Sequence, residues 1–266
     1  MYEEYWGLKE KPFENTPDPK FLYYSPQHEE ALARMFYVVR ESKGAGMLTG
    51  VYGCGKTVLG RALLTELEKE VYKVAFISNP RLDDIELLRM ISYHLGSTEL
   101  PTRKADILIT LEKILVNNIK DGKKTVIFID EAHAIEDKNV YEEIRLLLNF
   151  QLEDKFLLTI LLLGQPELKE KVEANKQLLQ RIAMRYHLEA LNREEMSSYI
   201  THRLKIASGE NIEFDSGALR LIYERSGGIP RRINQICDMS LVTGYSKKAN
   251  TVTESIVREA IETIEH

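Results

Sequence analysis

The chain has 266 residues, of which 44% are hydrophobic and 29% charged, and its formal net charge is −5 at pH 7. This length suits one large domain, or a large domain with a small one, and the composition is that of a folded globular protein. The two cysteines, Cys54 and Cys237, argue against a disulfide framework and fit a reducing compartment. The acidic balance disfavours wholesale coating of nucleic acid or anionic membrane, but it is compatible with a local basic patch.

The sequence contains no obvious targeting or membrane segment. The N-terminal stretch MYEEYWGLKE lacks a basic region followed by an apolar one, so no signal peptide is expected. The longest apolar run, FLLTILLLG, is about half of the roughly 20 residues that a membrane helix needs. We therefore expect no membrane span and a cytoplasmic location, with membrane association only through a partner or a further C-terminal segment.

Over the first 190 residues, short apolar runs typical of buried strands alternate with helical periodicity. Strands are predicted at 46–51, 73–78, 124–133, 156–164 and 186–191, and helices at 57–70, 82–96, 105–122, 140–151 and 166–185. Fully apolar strands that alternate with helices indicate a parallel sheet with helices on both faces. The sequence thus predicts an α/β domain over residues 1–190, which includes an N-terminal arm at 1–25.

The pattern changes at about residue 191, after which only helices are predicted. They cover 192–209, 215–228, 230–244 and 253–264. Asn192 with Glu195 three residues later forms a capping-box pattern, and Pro230 suits the first turn of the third of these helices. Residues 191–266 are therefore predicted to form a small all-α domain.

The stretch GVYGCGKT at 50–57 fits the pattern G-x-x-x-x-G-K-[ST] of a phosphate-binding loop, the Walker A motif. Glycines let backbone N–H groups turn toward phosphates, and the following helix directs its N-terminal dipole at the anion. Lys56 is expected to reach the β- and γ-phosphates and Thr57 to hold Mg²⁺. The predicted nucleotide-binding residues of this segment are Gly50, Gly53, Cys54, Gly55, Lys56, Thr57 and Val58.

A second motif, VIFIDEAH, brings two acids to the end of an apolar strand. In open α/β sheets ligands bind at that edge, so Asp130 fits the Walker B role on Mg²⁺ and Glu131 is placed to polarise an attacking water. Together the motifs predict binding of ATP with Mg²⁺ and its hydrolysis. A helicase is disfavoured because the chain lacks room for a second nucleotide-binding core, and His133 is expected to be a cap or surface residue.

The motifs occur in an order that resembles the AAA+ ATPases of the general secretion pathway protein A family. The resemblance rests on YWGLKEKPFENTPDPKFLYYSPQHEEAL, the phosphate loop, FIDEAH, LLLGQPEL, QRIAMR and GGIPRRIN, and it covers essentially the whole chain. That family includes ATPases of type II secretion, mannose-sensitive pilus and exosortase loci, and it is related to ATPases that regulate transposition. The resemblance implies a P-loop AAA+ core with a helical lid.

The resemblance also implies roles for polar residues outside the two motifs. Gln165 lies where sensor 1 reads the γ-phosphate, and Arg231 matches sensor 2, although Arg232 follows where an apolar residue is expected. Arg181 matches the arginine finger that acts on a neighbouring subunit. Arg185 is the competing candidate, since four residues along a helix would share a face. A homo-oligomer, either a ring or a filament, is therefore implied.

The sequence leaves two interpretations open for the N-terminal arm and two others for Cys54. The arm either provides an apolar wall for the base, through Pro12, Phe13, Tyr23 and Tyr24, or these residues only attach it to the core. Cys54 is either a small residue in the loop or a redox-sensitive thiol, since a helix N-terminus lowers a thiol pKa. Cys237 is expected in the core.

The predicted function is that of an oligomeric ATPase that drives or regulates assembly of a bacterial secretion, pilus or polysaccharide-export system, through a protein partner. The alternative is an ATP-dependent, DNA-binding regulator of transposition target selection. DNA remains a possible partner on sequence alone, but the basic pairs at 123–124, 231–232 and 247–248 are short.

Overall fold

The computed structural model describes residues 1–67, 71–152 and 155–265. The chain forms two compact units. The sheet unit contains Glu29–Tyr52 and Leu59–Leu188, and the helical unit contains Met1–His28, Gly53–Val58 and the residues from Glu189 onward. The first 28 residues are thus grouped with the C-terminal helices, whereas the boundary after residue 190 stays a prediction.

The sheet unit is built on five parallel strands, as the alternating pattern predicts. They are β1 (Ala45–Gly50), β2 (Tyr72–Ile77), β3 (Lys124–Ile129), β6 (Leu158–Gly164) and β7 (Ile182–Leu188), arranged in the order β2-β3-β6-β1-β7. Every residue of β1 and β6 is buried, which requires cover on both faces. A short antiparallel pair, β4 (Gln151–Leu152) with β5 (Lys155–Phe156), precedes β6.

Helices of the sheet unit pack on opposite faces of this sheet. They are α2 (Pro26–Arg40), α3 (Lys56–Glu66), α4 (Asp84–His94), α5 (Lys104–Lys120), α6 (Lys138–Leu147), α7 (Glu167–Glu173) and α8 (Lys176–Leu179). Alternate residues of each strand face opposite ways. Met47, Ile127 and Leu162 share one cluster with α4 to α7, whereas Leu48, Phe128 and Leu161 lie with α2 and α3.

The helical unit contains α1 (Tyr2–Trp6), α9 (Arg193–Ile206), α10 (Ser216–Ser226), α11 (Pro230–Ser246) and α12 (Glu254–Glu265). The capping box of Asn192 and Glu195 is present at the start of α9, and Pro230 opens α11. Of the sequence-predicted helices, the one over 57–70 extends into residues 68–70, which lie outside the described part of the chain. Within the described ranges, no helix is both long enough and apolar enough to cross a membrane.

One sequence-based assignment was wrong. The single helix expected over 166–185 is replaced by α7, α8 and the start of β7, which ends at Leu188. In β7 the residues alternate between buried or half-buried and exposed positions, and the strand pairs with β1. The period of two in RIAMRYHL therefore overrides the helical pattern of the preceding residues.

The N-terminal arm is attached to the helical unit through aromatic rings and one buried cation. Phe13 is buried and packs edge-on against Phe214, while Tyr23 contacts Tyr199. Tyr24 is exposed. This packing supports the interpretation that the aromatic residues of the arm attach the arm to the rest of the chain. Their contact partners, Phe214 and Tyr199, belong to the helical unit.

Arg203 on α9 connects the arm to the helices. The side chain is 6% exposed, its guanidinium donates to the backbone carbonyls of Pro12 and Glu14, and it lies 4.8 Å from the ring centroid of Phe21. A further guanidinium hydrogen bond goes to the hydroxyl of Tyr199 at 2.9 Å. One planar cation thus satisfies three acceptors on two segments of the chain.

We expect Arg203→Met to lower the free energy of unfolding of the helical unit by about 2–4 kcal/mol, because it leaves the buried Pro12 carbonyl without its charged donor. Urea unfolding followed by fluorescence of Trp6, the single tryptophan, measures this, since its indole donates to Leu241 O in the same unit. Arg220→Met is the matched control, because that side chain is 55% exposed and should change stability by less than about 0.5 kcal/mol. Equal shifts for both variants would contradict the assignment.

Candidate nucleotide-binding site

The phosphate loop connects a central strand to a helix. β1 ends at Gly50 and α3 begins at Lys56, so the loop leaves the carboxyl edge of the sheet and enters the first turn of α3. Gly53 and Gly55 have φ angles of 83° and 106°, in the region that favours glycine. The positions of the two glycines in the sequence are therefore explained by the backbone shape of the loop.

Lys56 and Cys54 are both buried and lie side by side in the phosphate loop. Lys56 is 5% exposed, and its Nζ lies 3.9 Å from Cys54 Sγ. Burial raises the pKa of the Cys54 thiol, and the neighbouring Lys56 charge offsets this only in part. The thiol form is favoured, so the structure supports a small packed residue rather than a reactive thiolate. Cys237 is buried in the core, as expected, and burial raises its pKa as well.

His28, which the sequence analysis did not single out, supports the backbone of the loop. Its Nε2 lies 3.3 Å from the carbonyl oxygen of Cys54, and its Nδ1 lies 2.7 Å from Ser25 Oγ. Because a carbonyl only accepts, Nε2 carries the proton and Nδ1 accepts from the hydroxyl. Burial lowers the pKa of His28, which favours the neutral ring. The sequence gives little indication of this contact, because His28 and Cys54 are 26 residues apart.

Arg231 adjoins the loop at the start of α11. Its backbone N–H donates to Gly53 O at 3.2 Å. A Cβ on Gly53 would lie 2.7 Å from Arg231 Cβ and 3.2 Å from Ile229 Cγ2, so the close approach requires glycine. The backbone of Arg231 is thus in direct contact with the loop, whereas the backbone N–H of Arg232 donates to Ile229 O.

The acidic pair follows β3 at the same edge of the sheet from which the phosphate loop starts. Asp130 is buried, and its Oδ1 accepts from the backbone N–H of Glu131 at 2.9 Å. Glu131 has a φ of 51°, an uncommon conformation for a residue with a side chain. Its side chain remains 39% exposed. The turn therefore buries one acid and presents the other.

His133, which was expected to be a cap or a surface residue, lies between the acidic pair and the end of β6 and is partly exposed. Its side chain is 16% exposed, with Nε2 3.4 Å from Glu131 Oε2 and Nδ1 3.2 Å from the backbone N of Gln165. Lys171 Nζ donates to the carbonyl oxygens of His133 and Ile135 at 2.6 and 2.7 Å. The structure thus connects Glu131 to the segment that begins at Gln165.

The two arginine-finger candidates occupy different elements. Arg181 follows α8 in the turn before β7, and its Nη2 donates to Asn149 Oδ1 at 3.1 Å. Arg185 is exposed on β7 itself. Contrary to the prediction, Arg181 and Arg185 do not share a helix face, because β7 replaces the last part of the predicted helix. Neither arginine is identified as the finger by this geometry.

The residues present fit a magnesium nucleotide in their chemistry. The loop supplies glycines at positive φ, a lysine and a hydroxyl at the start of a helix, and β3 supplies a buried carboxylate. Among the described residues, no group of three or more His, Cys, Asp or Glu side chains could hold a metal ion alone. Mg²⁺ is usually bound through one or two protein ligands together with substrate phosphates. A site made of the hydroxyl of Thr57 and the carboxylate of Asp130 is of this kind.

Residues 39–172 match the family model described as an AAA domain. General secretion pathway protein A of Aeromonas hydrophila is 38% identical over 258 residues, which are 95% of this chain and 46% of that protein. The chain therefore spans about half the length of this relative.

Solved structures show the same fold at low identity. The Aeropyrum pernix ORC2 protein, in its ADPNP–ADP complexes, has a TM-score of 0.70 at 19% identity. The match covers 96% of this chain and 72% of the ORC2 chain. The Drosophila ORC bound to DNA has a TM-score of 0.73 at 18% identity, over 99% of this chain and 66% of that one. The family match covers half of the chain and includes the phosphate loop and the acidic pair, so the chain belongs to the AAA domain family.

Proposed function

We propose that this protein binds ATP with Mg²⁺ and hydrolyses it in an oligomer that serves assembly of a bacterial envelope secretion system. The observation that carries the proposal is the pairing of a glycine-shaped phosphate loop after β1 with an acidic turn after β3. Both strands neighbour β6 in one parallel sheet, so their carboxyl ends lie at the same edge. Phosphoryl transfer requires both elements on one nucleotide.

The loop residues are proposed to bind the phosphates. Lys56 supplies a positive charge to the β- and γ-phosphates, and the backbone N–H groups from Gly53 to Val58 donate to phosphate oxygens. Gly50 and Cys54 shape the loop, with His28 holding the Cys54 carbonyl. Thr57 provides a hydroxyl ligand for Mg²⁺. The neutral, fixed ring of His28 keeps the loop in the shape that phosphate binding needs.

The acidic turn is proposed to carry the hydrolytic chemistry. Asp130 and Thr57 would hold Mg²⁺, which would supply positive charge to offset that of the phosphates. Glu131 orients and deprotonates the attacking water. Gln165 contacts the γ-phosphate as sensor 1, and Arg231 does so as sensor 2 from the first turn of α11. The backbone contact between Arg231 and Gly53 supports this choice over Arg232.

Arg181 is the proposed arginine finger, with Arg185 as the alternative, and it acts on the nucleotide of a neighbouring copy. A guanidinium fork from the neighbouring copy would stabilise charge on the transferring phosphoryl group, in addition to Lys56 and Arg231 of the same chain. Asn149 holds the Arg181 side chain at 3.1 Å, so the guanidinium is restrained in advance. Each site is therefore completed only in an oligomer.

The role in secretion rests on the relative from Aeromonas hydrophila, whose name places it in general secretion and which aligns with 95% of this chain. We do not adopt the alternative of a DNA-binding regulator of transposition. The net charge is −5, and the DNA-bound structure is only 18% identical, which supports the fold alone. A protein partner in the envelope machinery is the proposed recipient of the ATP-driven change.

Lys56→Ala should weaken binding of ATP·Mg²⁺ by about tenfold or more, since it removes a charge-assisted contact to the phosphates. Isothermal titration calorimetry measures the Kd directly. Lys113→Ala removes an exposed lysine from α5 and should leave the Kd unchanged. If the Lys56 variant bound ATP like the Lys113 variant, the phosphate-loop assignment would be rejected.

Glu131→Gln should bind ATP normally and lose about 100-fold or more in kcat, because it lacks the general base. Arg181→Ala should also be inactive alone. Mixing the two variants should restore part of the ATPase activity, because a site that takes Glu131 from one copy and Arg181 from another is intact. Steady-state phosphate release measures this.

The same mixing experiment with Arg185→Ala distinguishes the two arginines. An active Arg185→Ala protein supports Arg181 as the finger. If Arg181→Ala hydrolyses ATP at the wild-type rate while Arg185→Ala requires complementation, the finger is Arg185. If neither variant is impaired, the proposal of a shared site is wrong.

The secretion role predicts that this chain can replace the aligned segment of the Aeromonas protein. In a strain lacking that protein, the chimera should restore secretion of an exoprotein, assayed in the culture supernatant. The Lys56→Ala chimera, expressed to the same level, should not. If both chimeras restored secretion, the function of this chain in secretion would not depend on ATP binding. If neither chimera restored secretion, the proposed role in secretion would be rejected.

A further inference from the structure

We propose that His133 is a positioning residue for ATP hydrolysis, which orients the Glu131 carboxylate through Nε2 while the Gln165 backbone fixes its ring. The inference rests on the proposed function, because Glu131 is the general base only if the chain hydrolyses ATP. It assigns a role to a residue that neither touches the phosphates nor holds Mg²⁺ in the proposal above.

The hydrogen bond to Gln165 determines where the ring proton lies. A backbone N–H can only donate, so His133 Nδ1, 3.2 Å from the backbone N of Gln165, must be the unprotonated acceptor. In the neutral ring the proton is then on Nε2, the nitrogen 3.4 Å from Glu131 Oε2. The histidine therefore presents a donor, not a lone pair, to the carboxylate. A contact of this length is weak in the absence of substrate, and such contacts shorten in the reactive complex.

The backbone of His133 is fixed independently of its ring. Lys171 on α7 donates to the carbonyl oxygens of His133 and Ile135, which attaches the turn to the helix. Gly164 at the end of β6 allows a close approach, because a Cβ there would lie 3.1 Å from the backbone N of His133. Gln165, the next residue, contributes the N–H to Nδ1. The ring is thus held by Gln165, which lies between β6 and α7, and the backbone by Lys171 of α7.

Glu131 needs such a partner because its own position restrains the side chain little. The Glu131 side chain is 39% exposed, so it would exchange among rotamers in water. Its φ of 51° sets the direction of Cβ, but not that of the carboxylate. The contact with His133 Nε2 supplies the missing restraint, and an oriented base is what water activation requires.

Two isosteric variants separate the two ring nitrogens. In His133→Asn, the amide oxygen takes the place of Nδ1 and keeps the acceptor for Gln165, but nothing reaches Glu131. In His133→Gln, the amide nitrogen takes the place of Nε2 and keeps the donor to Glu131. We expect His133→Asn to lower kcat by about 10-fold to 100-fold, the range for residues that orient a reactive group. His133→Gln should stay within about threefold of wild type.

The measurements are steady-state kcat, calorimetric Kd for ATP·Mg²⁺ and the thermal midpoint of each variant. Both Kd values should match wild type, because His133 does not bind the nucleotide. In the Glu131→Gln background, His133→Asn should cause no further loss of kcat, since the carboxylate that it orients is absent. His94→Asn and His94→Gln, on an exposed histidine of α4 in the same unit, control for the substitutions themselves.

The inference is overturned if wild type hydrolyses ATP and His133→Asn does so at the same rate. It is also overturned if the Asn and Gln variants lose kcat equally together with nucleotide affinity and thermal stability, since that result indicates a purely structural role. If wild type itself binds no ATP or does not hydrolyse it, the proposed function fails instead. The two failures are therefore distinguishable in one series.

Discussion

The central position of β1 is the constraint on which the phosphate loop depends. The strand pairs with β6 on one side and with β7 on the other, and all six of its residues are buried. A Cβ at Gly46 would lie 2.9 Å from Leu161 Cδ2 and 3.3 Å from Met35 Sδ, so the strand has almost no room to shift. The loop that starts at Gly50 therefore begins from a point fixed by two hydrogen-bonded ladders and two packed faces.

The same constraint determines where the other polar residues lie. Because β3 and β6 are parallel to β1 and in register with their neighbours, Asp130 and Gln165 follow their strands at one edge of the sheet. The side chains at that edge are then adjusted by local contacts, such as the hydrogen bond from the Glu131 N–H to Asp130. Sheet register thus places the acidic turn at this edge, and the hydrogen bond from the Glu131 N–H sets the direction of the Asp130 carboxylate.

Sequence reasoning predicted those parts of the fold whose causes are local. The five parallel strands were expected from apolar runs, and the capping box at Asn192 from a spacing of three residues. The extent of β7 was missed, because Arg181 and Arg185 also fit a helical spacing and only pairing with β1 decides between the two periods. The partners of the N-terminal arm were left open for a similar reason. Arg203, which holds it, is 191 residues from Pro12.

The candidate site divides in the same way between local and distant causes. The loop and the acidic pair could be recognised because a phosphate-binding backbone needs glycines at fixed spacing, and the metal needs an acid at a strand end. His28 and His133 could not, because each acts through a group 26 or 32 residues away, Cys54 O and the Gln165 N–H. In both, a backbone group that can only accept or only donate determines the ring tautomer. A histidine next to a motif therefore becomes informative only when the tertiary structure shows which backbone group it meets, and here that group determines which nitrogen faces Glu131.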